Sequence, residues 1–106
     1  MTVKEMRPVG QPAGRSRIMR QRGSMPTIAI VDGVKIQMFY NDHTPAHFHA
    51  ILGGVEVLIA IRGLDVLRGS LPPGKLRHVL EWANEHQGEL ALNWIRCQDD
   101  QPPERI

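Results

Sequence analysis

His43, His47 and His49 lie within seven residues, directly after Asn41 and Asp42, and make up three of the chain's five histidines. Imidazole and carboxylate groups are ordinary ligands of zinc and related ions. If His47 and His49 share a strand, they point to the same face about 7 Å apart. Two imidazoles at that spacing reach one ion, and His43 or Asp42, from the preceding turn, supplies a third ligand. Three protein ligands plus a water is the catalytic zinc arrangement, in which the ion lowers the water's pKa and permits hydrolysis near neutral pH. Two other readings fit the same residues. Without a metal, two histidines can share acid and base roles in cleaving an RNA phosphodiester, with Arg62 or Lys35 stabilising the developing charge. Alternatively the cluster only holds a loop: the imidazoles bond backbone carbonyls and pack beside Phe48 or Pro45, and Asp42 caps its own turn.

Other chemistry-bearing residues are weaker candidates. His78, Glu81, Trp82 and Glu85 recur at helical spacing and share one face, which suits a solvated helix face with a partly covered tryptophan better than a metal site. His86 is expected at an inter-helix turn. Cys97 is the single cysteine, so no intramolecular disulfide and no all-cysteine metal site can form. It has no histidine partner in sequence and reads as a small helix residue. No phosphate-binding loop, dinucleotide fingerprint or serine elbow is present.

The elements that must position these groups follow from periodicity. Thr27–Val31 is apolar and β-branched, and Asp32-Gly33 marks a two-residue hairpin. Val34, Ile36, Met38 and Tyr40 alternate with Lys35, Gln37 and Phe39, a strand with one buried face. Asn41–Pro45 has turn composition. His47–Leu52 resumes a strand, Gly53-Gly54 turns, and Val55–Ile61 is an almost unbroken apolar run, expected at the centre of the sheet. Val66–Gly69 adds a short strand. The period then changes. Pro72-Pro73 suits a helix start, and Leu76, Val79, Leu80 and Ala83, then Leu90, Ala91, Trp94 and Ile95, keep helical phase. One helix over 74–97 would run about 36 Å at 1.5 Å per residue, against strands of about 20 Å. Gly88 is a natural break. The expectation is two helices, 73–86 and 88–98, on one face of an antiparallel sheet of four or five strands, an α+β domain over 25–100. Residues 101–106, with Pro102-Pro103, are expected to fray.

Length and charge set further bounds. A chain of 106 residues, 42% hydrophobic and 23% charged, fits one folded domain. No apolar run approaches the roughly 20 residues of a membrane span. The single cysteine fits a reducing, cytoplasmic setting. The formal charge of +2 hides an asymmetry. Residues 1–24 hold six basic side chains and one acidic; the rest hold seven basic and ten acidic. The basic arm is rich in proline and glycine and lacks any period, so disorder is expected. Met25 is expected to be the working start, with 1–24 an upstream extension. The body's net negative charge argues against strong non-specific nucleic-acid binding.

The order Met25-Pro26-Thr27-Ile28, Asn41-Asp42-His43-Thr44-Pro45-Ala46-His47-Phe48-His49-Ala50, Leu80-Glu81-Trp82-Ala83 and Asn93-Trp94 resembles a family of small bacterial proteins, domain of unknown function 4160. The resemblance spans Met25 to about Ile106, and the Asn41–Ala50 segment is its specific part. Two departures stand out. Ala46 replaces a second proline in the turn, and Gly88 replaces an acidic or polar residue. The resemblance carries no activity. It implies genes that neighbour another small protein, in the manner of toxin–antitoxin pairs, and members that begin at the Met-Pro-Thr-Ile position. Two functions are therefore expected. The first is a protein-binding module that pairs with a small protein or with itself, with nucleic acid an optional target. The second is a hydrolase or ribonuclease built on the Asn41–His49 loop, with zinc or another transition metal bound by His43, His47 and His49.

Overall fold

The computed structural model describes residues 26–106; the expected basic extension over 1–24 and its boundary at Met25 lie outside them. Five strands are followed by two helices: β1 (Thr27–Val31), β2 (Val34–Gln37), β3 (His47–Leu52), β4 (Val55–Ala60), β5 (Val66–Gly69), α1 (Pro73–Glu85) and α2 (Gln87–Gln98). The strands pair in chain order, all antiparallel. This is the α+β arrangement that the change of period predicts.

The β1–β2 hairpin closes as Asp32-Gly33 requires. Both turn residues have positive φ, 51° and 80°, the conformation whose twist matches paired strands and which glycine adopts without steric cost. The long apolar run is an interior strand, paired on both sides as a central position requires. In the five-strand order the middle strand is β3, the one carrying His47 and His49. Its two histidines disguise it, because a strand buried on both faces usually reads as unbroken apolar sequence. β4 instead opens with exposed Val55 and Glu56 and buries only its later residues. β2 stops at Gln37, so Met38–Tyr40 already belongs to the connection into the histidine loop.

Alternation along β3 divides its side chains. Phe48 and Ala50 enter the core with Ile36, Val57 and Ile59, against Val79 and Ala83 of α1 and Leu90 and Cys97 of α2. The Phe48 ring meets Trp82 of α1 edge-on, with centroids 6.4 Å apart. His47, His49 and Ile51 point the other way. The break between the helices falls at His86, one turn residue with φ −126°, and not at Gly88, which lies in the first turn of α2. Lys75 and His78 of α1 both bond Asp32 in the hairpin, at 3.1 and 2.7 Å. The His78 hydrogen bond, then that of Lys75, holds the Asp32 carboxyl below its usual range.

Residues 101–106 do not fray as expected. Asn93 pairs with Glu104 twice: its Nδ2 donates to the Glu104 carbonyl and its Oδ1 accepts the Glu104 N–H, both at 2.8 Å. The Ile106 N–H then donates to the Ile28 carbonyl of β1 at 2.8 Å. Composition alone missed this because the anchoring groups are backbone amides and a side-chain amide 11 residues away.

The opposite edge strand is short and irregular. β5 has four residues, all exposed, and a register shift against β4. Gly69 ends it at φ +80°, where an added Cβ would stand 2.0 Å from the Glu56 carbonyl oxygen. Gly69→Ala is expected to destabilise by about 2 kcal/mol, from left-handed strain and displacement of β5. Urea denaturation of this variant against wild type measures the loss; an unchanged midpoint would show that β5 yields freely.

Candidate metal centre

The loop between β2 and β3 is held by the end of α2. Asn41, at φ 54°, donates its N–H to the Cys97 carbonyl at 3.3 Å and its Nδ2 to Asp100 at 2.6 Å. Gln98 donates to the Asp42 carbonyl at 2.9 Å. Asn41 is thus an anchor of the loop. These contacts place the Asp42 side chain against the two histidines of β3.

One carboxylate oxygen, Asp42 Oδ2, stands 2.9 Å from His47 Nε2 and 3.1 Å from His49 Nε2. The two imidazoles have centroids 5.0 Å apart, and the side chains are 3% and 8% exposed, with Asp42 at 14%. Each histidine is engaged at its other nitrogen as well. His47 Nδ1 lies 2.8 Å from the Pro45 carbonyl, and His49 Nδ1 lies 2.7 Å from Glu56 Oε2. Phe39 stacks on the His49 ring at 4.0 Å, and Trp94 lies 5.3 Å from the His47 ring.

Donor counting makes this arrangement informative. A neutral imidazole carries one N–H. The Pro45 carbonyl only accepts, so His47 carries its hydrogen on Nδ1 and turns a lone pair toward Asp42. His49 lies between two carboxylates, so its hydrogen goes to Glu56 from Nδ1 or to Asp42 from Nε2. Two imidazole nitrogens and a carboxylate oxygen therefore converge, a donor set that one cation could join.

Burial alone would raise the Asp42 carboxyl. The hydrogen bond from His49, the N–H of His43 and the charges of His47 and His49 outweigh it, and the carboxyl lies below its usual range. These contacts favour the carboxylate form of Asp42.

The sequence candidates divide accordingly. His47, His49 and Asp42 come together, and these three ligand atoms lie within 4.8 Å of one another. His43 does not join them. Its side chain is 90% exposed and faces the other Asp42 oxygen at 3.2 Å. Among the described residues, neither Lys35 nor Arg62 bonds the cluster. The bond of His47 to the Pro45 carbonyl is the kind of backbone bond that the loop-holding reading expects; Glu56, which fixes the outer nitrogen of His49, is not among the sequence candidates. The Glu56 signal was available only in the strand register, where His49 faces Leu58 and Glu56 stands two residues along on the same face. Trp94 is half-buried against His47 and not in the core. Burial pushes the Cys97 thiol up to about 11, which agrees with an inert packing residue. Among the described residues no other such ligand group occurs, so the His78–Glu85 face is not one.

A five-strand antiparallel meander with two C-terminal helices, carrying a buried two-histidine, one-carboxylate cluster, defines a small α+β protein with one concentrated chemical site. The chain belongs to the family described as domain of unknown function (DUF4160), whose model matches residues 33–95. That span, more than half the chain, contains Asp42, His47, His49 and Glu56. No curated protein and no solved structure matches the chain. No helix among the described residues is long and apolar enough to cross a membrane.

Proposed function

We propose that this chain is a metal-binding protein whose Asp42, His47 and His49 hold one divalent transition ion, zinc first among the candidates. The convergence of two imidazole Nε2 atoms on Asp42 Oδ2 carries the reading. A tetrahedral zinc with bonds near 2.0–2.1 Å sets its ligand atoms about 3.4 Å apart. The observed 2.9 and 3.1 Å to Asp42 need to open by a few tenths of an ångström, and the two imidazole nitrogens, within 4.8 Å of each other, need to settle at the same spacing. The outer hydrogen bonds to the Pro45 carbonyl and Glu56 are those that fix the tautomer of a metal-ligating histidine. With three protein ligands a bound ion would keep a fourth position for water, whose pKa it would lower for hydrolysis.

The surroundings favour hydrolytic chemistry on a neutral or cationic group over cleavage of RNA. The loop and cluster bond Asp100 and Glu56, and among the described residues no lysine or arginine contacts them to clamp a phosphate. A reducing, cytoplasmic setting belongs to the same reading. Pairing with another small protein is the second reading, and the part of the sheet that no helix among the described residues covers supports it.

Metal analysis by mass spectrometry tests the centre. The full chain, incubated with zinc and desalted, is expected to retain about one equivalent, and the His47→Ala/His49→Ala variant none. If wild type retains no zinc, manganese, iron or nickel, the metal-binding reading is overturned and the cluster only holds its loop.

A further inference from the structure

Among the described residues the core occupies one face of the sheet, under the two helices, and α2 reaches the other face at its His47 end, through Trp94. On that other face, Ile30, Lys35, Ile51 and Glu56 are successive ladder partners across β1 to β4, so their side chains stand in one row. Ile30 is 59% exposed, Lys35 and Glu56 are exposed, and Ile51 is half-buried. Lys35 and Glu56 stand two strands apart, about 10 Å at ordinary strand spacing, too far to pair over Ile51. Lys35 has no ion pair or hydrogen bond among the described residues. The row therefore reads apolar, positive, apolar, negative.

We infer that this row, which no helix among the described residues covers, marks a self-association surface on which a second copy of the chain packs sheet against sheet. A two-fold axis along β3 at Ile51 brings Lys35 of each copy onto Glu56 of the other and sets the two Ile51 side chains together. Stacked sheets lie about 10 Å apart, a gap that lysine and glutamate reaching from opposite sides close. Leu58, half-buried in the next row, extends the apolar contact. Glu56 uses one oxygen for His49 and has a second to offer. The charge pattern selects the occupant: a wholly acidic or wholly basic partner would match one end of the row and repel the other, while a second copy matches both. The edges are poorer docking sites. β1 is bonded by the C-terminal tail, and β5 is short with a register shift, the features that discourage edge pairing.

Sedimentation equilibrium on the full chain tests this. Wild type is expected to dimerise reversibly. Lys35→Glu, which sets glutamate against Glu56, should raise the dimer dissociation constant about 100-fold or more. Ile51→Arg, which sets like charges together at the axis, should give a monomer. A melting curve checks that each variant folds, and Lys35→Glu, at an exposed position, keeps the test open if Ile51→Arg does not. A wild type that stays monomeric at all concentrations, or a dimer unchanged in a folded variant, would overturn the inference.

Discussion

Phe48→Ala is expected to cost about 3–5 kcal/mol, a large part of the roughly 5–15 kcal/mol that holds a domain folded. Phe48 heads the fully buried side chains by volume, and its ring meets Trp82. It lies on the middle strand, so the cavity would open between sheet and α1 with covered surface on every side. The same strand carries His47 and His49 on its opposite face. Loss of Phe48 should therefore loosen the cluster as well as the core. Urea denaturation measures the first effect and zinc affinity the second. Phe48→Leu, which retains most of the volume, should cost less than about 1.5 kcal/mol. A Phe48→Ala loss under about 1 kcal/mol would mean that this contact does not anchor the sheet.

Zinc at a hundredfold excess over its dissociation constant should stabilise the wild-type chain by about 2.7 kcal/mol. For a domain of this size each kcal/mol moves the melting midpoint by roughly 4–8 °C, so a rise of about 10–20 °C is expected. His47→Ala/His49→Ala should show none. Asp42→Asn separates the ion from the fold. An asparagine amide has two N–H groups and can donate one to each imidazole Nε2. The metal-free variant should therefore melt near the wild-type midpoint, while the zinc shift vanishes. A zinc shift that survives in Asp42→Asn would place the ion elsewhere.

The legible parts of the sequence were those governed by local rules. Asp32-Gly33 specified its hairpin because only certain residues tolerate positive φ, and the switch from period two to helical spacing located both helices. What failed depended on long-range packing. Val55–Ile61 does form an interior strand, but apolarity does not reveal that the middle strand is β3, which buries two imidazoles by bonding their nitrogens. His43 and Asp42 were equal candidates from spacing. The positive φ of Asn41 and the anchoring of that loop on Cys97, Gln98 and Asp100 aim Asp42 inward and leave His43 outside. Glu56 escaped notice because its link to His49 exists only in the register between two strands. The tail was judged by its prolines, while its attachment rests on backbone amides and Asn93.

The bond from Ile106 to Ile28 also makes the fold nearly circular. The first strand and the last residue meet, so the described chain returns to its own beginning after 78 residues. A chain cut to the described residues could be joined there and reopened at an exposed turn. Gly53-Gly54, where an added Cβ at either residue meets nothing within 4 Å, is such a turn. A chain that began at Val55 and ended at Gly54 would keep the cluster's ligands on one piece with their anchors, since the α2 segment that grips the loop would then precede it. The order in which the elements leave the ribosome is thus separable from the way they pack.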